Sequence, residues 1–297
     1  MTGWSVIIER THWIEQDPPA DRDGLIVLTG IVVGWIGAAR CSPLRDPWGI
    51  MALISPALLA ADFARLGEAL QVIEAAGCQM VHLDVGDGHF FRDVALGQPV
   101  VESIRKATKL RLDVHLMIER PERYAADFAK AGAHRLAFHP ESTQHPWRTL
   151  DLIRKAGAKS GIALQPGSTL SLVSELLKDL DFLNILTADP ESELDLGERQ
   201  PHCQQPDSMV AGVNKLLEAR RIREHQGLRF ELQAEGGIGP DNVAEVARAG
   251  ADILVSGFAI FHGGDSAVHL KGLMSAADCG IAPEPAKSRE SLIPSNP

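Results

Sequence analysis

From Met51 to about Ala277 the chain repeats one pattern eight times: a short run rich in Val, Ile and Leu, then a stretch with helical spacing. The strand runs are Ala52–Ser55, Met80–Val85, Arg111–Leu116, Arg135–His139, Ser160–Leu164, Phe182–Thr187, Arg229–Ala234 and Ile253–Ser256. Helical patterns follow them, among them Phe63–Ala75, Pro121–Ala131, Leu170–Leu177, Met209–His225 and Asn242–Ala249. Ala-Gly pairs at 76–77, 131–132, 156–157 and 249–250 supply glycines that can end a helix in the left-handed conformation before the next strand. Strict β-α alternation with short connections demands a parallel sheet, and eight repeats predict closure into an α/β, (β/α)8 TIM barrel. The competing architecture is an open doubly wound sheet, but no GxGxxG follows the first strand.

The 297 residues allow one large or two small domains. Before Met51 the chain is Trp-rich and aperiodic, so residues 1–50 read as an appendage to a barrel at 51–277. The end of the chain, residues 278–297, is Pro/Ser-rich without an apolar face and reads as a flexible tail. The polar segment Ala188–Ser208 makes an abnormally long connection after strand six. With 29 Lys+Arg against 39 Asp+Glu, the net charge of −10 argues against nucleic acid or an anionic membrane as partner. A phosphate bound here must be held locally. The apolar stretch Gly24–Ala39 falls short of the roughly 20 residues of a membrane span. Cys41, Cys78, Cys203 and Cys279 form no CxxC, which predicts reduced thiols in a cytoplasmic protein.

In such a barrel the reactive groups stand at the C-terminal strand ends. Strand two ends His82-Leu83-Asp84 and strand three contains Asp113-Val114-His115, so each His and Asp two apart share a face, predicted inward. Inward carboxylates and imidazoles in apolar strands must be paired or bound to a cation. Two readings follow: core histidines satisfied by Asp84 and Asp113, or ligands for one divalent ion, Zn, Fe or Mn. Their position at strand ends favours the metal. Ser55 ends strand one and is predicted to orient a ligand, since Asp62 is the better cap for the next helix. Gly236, Gly237, Ser256 and Gly257 follow strands seven and eight, where backbone N–H groups of this fold commonly hold phosphate. Glu235 is then expected across the barrel from Asp84. Two carboxylates on opposite faces of one carbon can carry a proton from one face to the other, which is epimerisation next to a carbonyl.

Between Met51 and about Phe261 these residues resemble the ribulose-phosphate 3-epimerase family. The likeness is carried by Ile54-Ser55-Pro56, Ala61-Asp62-Phe63, His82-Leu83-Asp84-Val85, Asp87-Gly88-His89-Phe90, Leu112 to Met117, Phe138-His139-Pro140-Glu141, Gly236-Gly237-Ile238 and Ser256 to Phe261. It implies a barrel of the ribulose-phosphate-binding type, a sugar-phosphate substrate and a homo-oligomer. It also implies His82, Asp84 and His115 as ligands of one divalent metal with Glu235 as the fourth, Asp84 and Glu235 as acid and base, and Ser55, His115 and Met117 against the substrate. The expected reaction interconverts D-ribulose 5-phosphate and D-xylulose 5-phosphate. The chain departs from the family at Glu235, where the family has Asp, and at Gly86 and Leu186, where it has Met. The family's glycine-rich loop after strand six is replaced by Asp189-Pro190-Glu191-Ser192-Glu193, whose acids repel a phosphate unless they turn away. Two alternatives follow from these departures: a different keto sugar as substrate, or a catalytically weak metal-binding regulatory barrel.

Overall fold

A computed structural model describes residues 26–28, 31–33, 52–189 and 206–281. Eight parallel strands follow one another: β1 (Leu53–Pro56), β2 (Met80–Asp87), β3 (Arg111–Met117), β4 (Arg135–Phe138), β5 (Lys159–Leu164), β6 (Phe182–Leu186), β7 (Glu231–Glu235) and β8 (Ile253–Ser256). Each neighbours the next in register, β8 pairs with β1, and a parallel bridge between Ala57 and His82 joins the last gap. The ring is therefore the expected (β/α)8 barrel, with the antiparallel strand Val94–Ala95 folded onto the end of β2. The connecting helices are α1 (Leu66–Ala75), α2 (Gln98–Ala107), α3 (Ala125–Lys130), α4 (Pro146–Lys155), α5 (Pro206–Gln226), α6 (Val243–Arg248), α7 (Phe258–Phe261) and α8 (Ser266–Ile281).

Residue alternation along the strands separates two interiors. Val81, Leu83, Val114, Leu116, Leu136, Phe138, Leu183, Ile185, Leu232 and Leu254 join the apolar layer beneath the helices. The opposite parity fills the barrel itself, where Ala137, Ala163, Phe182 and Leu186 make a small apolar cluster of their own. Below the strand ends lies a charged layer. Arg135 stacks its guanidinium 3.9 Å from the Phe182 ring centre, and its Nη1 and Nη2 donate to Glu231 Oε2 (2.7 Å) and Gln233 Oε1 (3.0 Å). Its Nε lies 3.0 Å from Asp113 Oδ1, an ion pair whose angle is too oblique for a hydrogen bond. Phe182 in turn sits over Gly161, where a Cβ would come within 2.5 Å of the ring. Gly161→Ala is thus expected to lower unfolding free energy by about 1–3 kcal/mol through overpacking. Urea denaturation reads this directly, and an unchanged midpoint would mean that the ring can move aside.

Most element boundaries lie within two residues of the sequence expectation, and two differences have physical causes. Asp62 caps a short 3-10 turn, accepting from Ala64 N–H at 3.0 Å, before α1 begins at Leu66. The segment after β5, Leu170–Asp179, is a 3-10 helix throughout rather than an α-helix. Its three- and four-residue apolar spacing fits either form. Gly77 and Gly132 close their helices at φ of 87° and 113°, as the Ala-Gly pattern requires, and Gly157 and Gly250 repeat the device. α8 runs through Ala277 to Ile281. Most of the long connection after β6, residues 190–205, lies outside the described residues. Within the apolar stretch near the N-terminus, Ile26–Leu28 and Ile31–Val33 pair antiparallel, and among the described residues no helix is long and apolar enough to cross a membrane.

Candidate metal centre and its cavity

At the C-terminal end of the barrel the four predicted ligands meet. One ligand atom from each of His82, Asp84, His115 and Glu235 lies within 4.8 Å of all the others. β2 and β3 are paired so that Asp84 stands opposite His115 and His82 opposite Asp113, and β7 ends with Glu235. His82 Nε2 is 3.1 Å from Asp84 Oδ1 and 3.3 Å from Glu235 Oε2, while His115 Nδ1 is 3.0 Å from Glu235 Oε1 and 3.6 Å from Asp84 Oδ1. The outer ring nitrogens are committed elsewhere. His82 Nδ1 donates to Asp113 Oδ2 at 2.8 Å, and His115 Nε2 lies 2.9 Å from His139 Nε2.

The outer bonds decide which nitrogen keeps its proton when a cation is bound. A carboxylate cannot donate, so His82 keeps the proton on Nδ1, and the inward Nε2, which faces Asp84 and Glu235, is the nitrogen a cation would take. Burial and then the neighbouring His115 hold the His139 imidazole well below its ordinary range. Neutral His139 therefore accepts from His115 Nε2–H, which turns Nδ1 inward. Burial by itself would depress His82 and His115, but the surrounding carboxylates, Glu235 foremost, outweigh it: His82 is held well above the usual imidazole range and His115 is raised to about 9. Burial likewise opposes ionisation of Glu235, and His115 and His82 outweigh it, holding its carboxyl well below the usual range. Two imidazoles with inward nitrogens and two carboxylates, all buried except the partly exposed Glu235, form a donor set suited to one divalent cation, and a cation would take the place of the protons they otherwise share.

Above this cluster opens a cavity of about 450 Å³, a common size for a small-molecule site. Asp84 and Glu235 line it while His82 and His115 sit behind them, so the carboxylates are the groups a ligand meets. Met117, Leu186 and Phe91 give it apolar walls, and Gly236, Gly237 and Gly257 line its far side. Gly236 has φ of 107°, and a Cβ there would fall 2.8 Å from Ala188 N. Ser256 does not line the cavity; its hydroxyl donates to Ile238 O at 2.7 Å. Ser55 is fully buried, and its Oγ has no partner among the described residues.

Several residues of the site went unforeseen. Asn184 Nδ2 donates to Glu235 Oε2, and Thr187, next to the end of β6, hydrogen-bonds the Glu235 and Gly236 carbonyls through its hydroxyl. Asp113 was expected inward, but not its Arg135 partner, which together with His82 outweighs burial and keeps the Asp113 carboxyl below its usual range. His139 occurs in the sequence as part of Phe138-His139-Pro140-Glu141 without an assigned role.

The sequence model of the ribulose-phosphate 3 epimerase family matches residues 53–261. The chain belongs to this family. Membership makes the protein an isomerase of the epimerase type. It is 36% identical to ribulose-phosphate 3-epimerase of Bacillus subtilis over 71% of this chain and 93% of that protein. With the Escherichia coli K12 enzyme the identity is 38%, covering 70% and 88%, and with the chloroplastic enzyme of Arabidopsis thaliana 37%, covering 75% and 76%. Among solved structures, KGPDC from Streptococcus mutans superposes with a TM-score of 0.57 at 14% identity, covering 76% of this chain and 97% of that one. A 3-hexulose-6-phosphate synthase gives 0.54 at 16%, covering 76% and 99%. These two likenesses concern the fold alone.

Within the epimerase family the departures of this chain acquire structural reasons. At Gly86 a Cβ would overlap the Asp93 carbonyl oxygen and approach Phe91 Cδ1 to 2.7 Å, so a larger residue there requires the 91–93 turn to move. Phe91 is itself buried and lines the cavity beside Met117, so Met117 is not the lone apolar cover. Glu235 reaches both histidines despite its extra methylene. Of the acidic segment after β6, only Asp189 falls within the described residues.

Proposed function

We propose that the barrel, expected at 51–277, interconverts D-ribulose 5-phosphate and D-xylulose 5-phosphate, with residues 1–50 an appendage and the tail, expected from 278, following α8 at Ile281. The observation that carries this reading is two carboxylates, Asp84 and Glu235, lining one cavity with two inward imidazoles directly behind them. One carboxylate takes the C3 proton, the electron pair moves toward the C2 ketone to give an enediolate, and the other carboxylic acid returns a proton to the opposite face. Inversion at C3 results, and atoms balance without a co-reactant. When bound by His82, Asp84, His115 and Glu235, a divalent ion (Zn, Fe or Mn) supplies positive charge that stabilises the developing oxyanion. Asp113 and His139 orient the two imidazoles through their outer nitrogens.

The remaining site residues take substrate roles in this proposal. His115 and the buried hydroxyl of Ser55 lie on the inner face, Met117 covers the reacting carbons, and the backbone at Gly236, Gly237 and Gly257 receives the phosphate, while Ser256, expected among them, is set back from the cavity and ties down the loop through Ile238 O. A cytoplasmic setting in pentose phosphate metabolism and assembly as a homo-oligomer belong to the same proposal. The buried, unpaired Cys78, whose thiol burial pushes up to about 11, is compatible with a reducing compartment.

The test is interconversion before and after chelation. Exhaustive dialysis against a chelator is expected to reduce turnover of ribulose 5-phosphate by at least about a hundredfold, and one equivalent of Zn, Fe(II) or Mn is expected to restore it. Full turnover by verifiably metal-free protein would refute the metal assignment. A metal-loaded protein inert toward the pentulose phosphates would move the search to other keto sugars.

A further inference from the structure

Asn184 is the one polar side chain in the Phe182–Leu186 strand and is fully buried. Its Nδ2 donates to Glu235 Oε2, and its Oδ1 has no partner among the described residues. An unsatisfied buried acceptor is destabilising, so the single bond that this amide does make calls for a purpose. Glu235 has two other side-chain partners among the described residues, His115 Nδ1 on Oε1 and His82 Nε2 on Oε2. Both are the inward nitrogens, because the outer ones are committed to His139 and Asp113. A nitrogen that gives its lone pair to a cation carries no proton, so neither can donate to Glu235 once an ion is bound. Asn184 is then the remaining side-chain donor.

We propose that Asn184 is the positioning residue of the centre, fixing the Glu235 carboxylate against β6 when both imidazoles are engaged with a cation. The strand register pairs Glu235 with Leu186 and places Asn184 two residues earlier on β6. The Glu235 carboxylate therefore reaches back along β6 to meet the amide, and an aspartate at 235 is one methylene shorter. Asn184 and Glu235 thus act as a matched pair whose combined length sets where the second carboxylate sits. The inference rests on the metal-dependent reading of the site and adds the element that aims one of its two carboxylates.

Two variants and one exchange test it. Asn184→Leu removes the donor at similar volume, and Asn184→Asp keeps the shape while replacing the donor with an acceptor. In both, zinc affinity measured by competition with a chromophoric chelator is expected to fall about 10- to 100-fold. The turnover number should fall at saturating metal while KM stays within about twofold. Glu235→Asp should show a similar loss, and adding Asn184→Gln to it, which moves the methylene across the pair, should recover about tenfold of both quantities. The exchange also decides the matter if Asn184→Leu fails to fold. Wild-type zinc affinity in a folded Asn184→Leu or Asn184→Asp protein would overturn the proposal, as would absence of recovery in the double variant. The affinity arm needs no sugar. A wild type that binds zinc but does not turn over pentulose phosphate therefore refutes the pentulose-phosphate reading without touching this one.

Discussion

Glu235→Gln is expected to lower the rate of C3 proton exchange by about 10²- to 10⁴-fold, the usual contribution of a positioned acid or base. The substitution is nearly isosteric, and its amide oxygen can still accept from Asn184, so the fold should survive. What disappears is the capacity to take or return a proton on one face of the substrate. Because Glu235 also belongs to the ligand cluster, the comparison must be made at saturating metal, with bound ion measured in the same samples. Turnover within a few-fold of wild type would remove Glu235 from the proton path and leave it a ligand only.

The second large effect concerns stability. Arg135→Met should cost about 3–5 kcal/mol, because it leaves the buried Asp113 without its guanidinium partner, whereas the partly exposed Glu231 keeps Lys159. The Arg135 and Asp113 side chains are 2% and 1% exposed, so water cannot take the place of the lost partner. Methionine fills much of the space, which confines the loss to charge and hydrogen bonding rather than to a cavity. Adding Asp113→Asn to Arg135→Met should recover part of that loss by removing the stranded carboxylate. A single variant as stable as wild type in urea would show that the charged layer below the site is dispensable. Because Asp113 also orients His82, the double variant should remain folded yet bind metal less well.

The fold was legible because the strands are short apolar runs and several helices close on an Ala-Gly pair, signals that are local in sequence. The ligands were legible for a related reason. His82, Asp84, Asp113 and His115 are polar residues at alternate positions in otherwise apolar strands, and parity alone sends them to one side. Asn184 obeys the same rule, standing alone between Phe182 and Leu186, and attention to single inward polar residues would have found it. Arg135 was harder, since its partner Glu231 stands on β7 and only barrel closure brings them together, and His139 lies just past the end of β4, where pairing with β3 brings it to His115. The distinction between α and 3-10 geometry at Leu170–Asp179 lies in hydrogen-bond register, which apolar spacing does not encode.

Two carboxylates act on opposite faces of one carbon, one removing its proton and the other supplying a new one, and proton exchange in deuterated water tests this most directly. Metal-loaded protein incubated with ribulose 5-phosphate is followed by NMR at C3. The account predicts metal-dependent loss of the C3 proton signal together with appearance of xylulose 5-phosphate carrying deuterium at C3, and both should be absent in His82→Ala and Glu235→Ala. A fully metal-loaded, folded protein that retains the C3 proton and forms no xylulose 5-phosphate would contradict it.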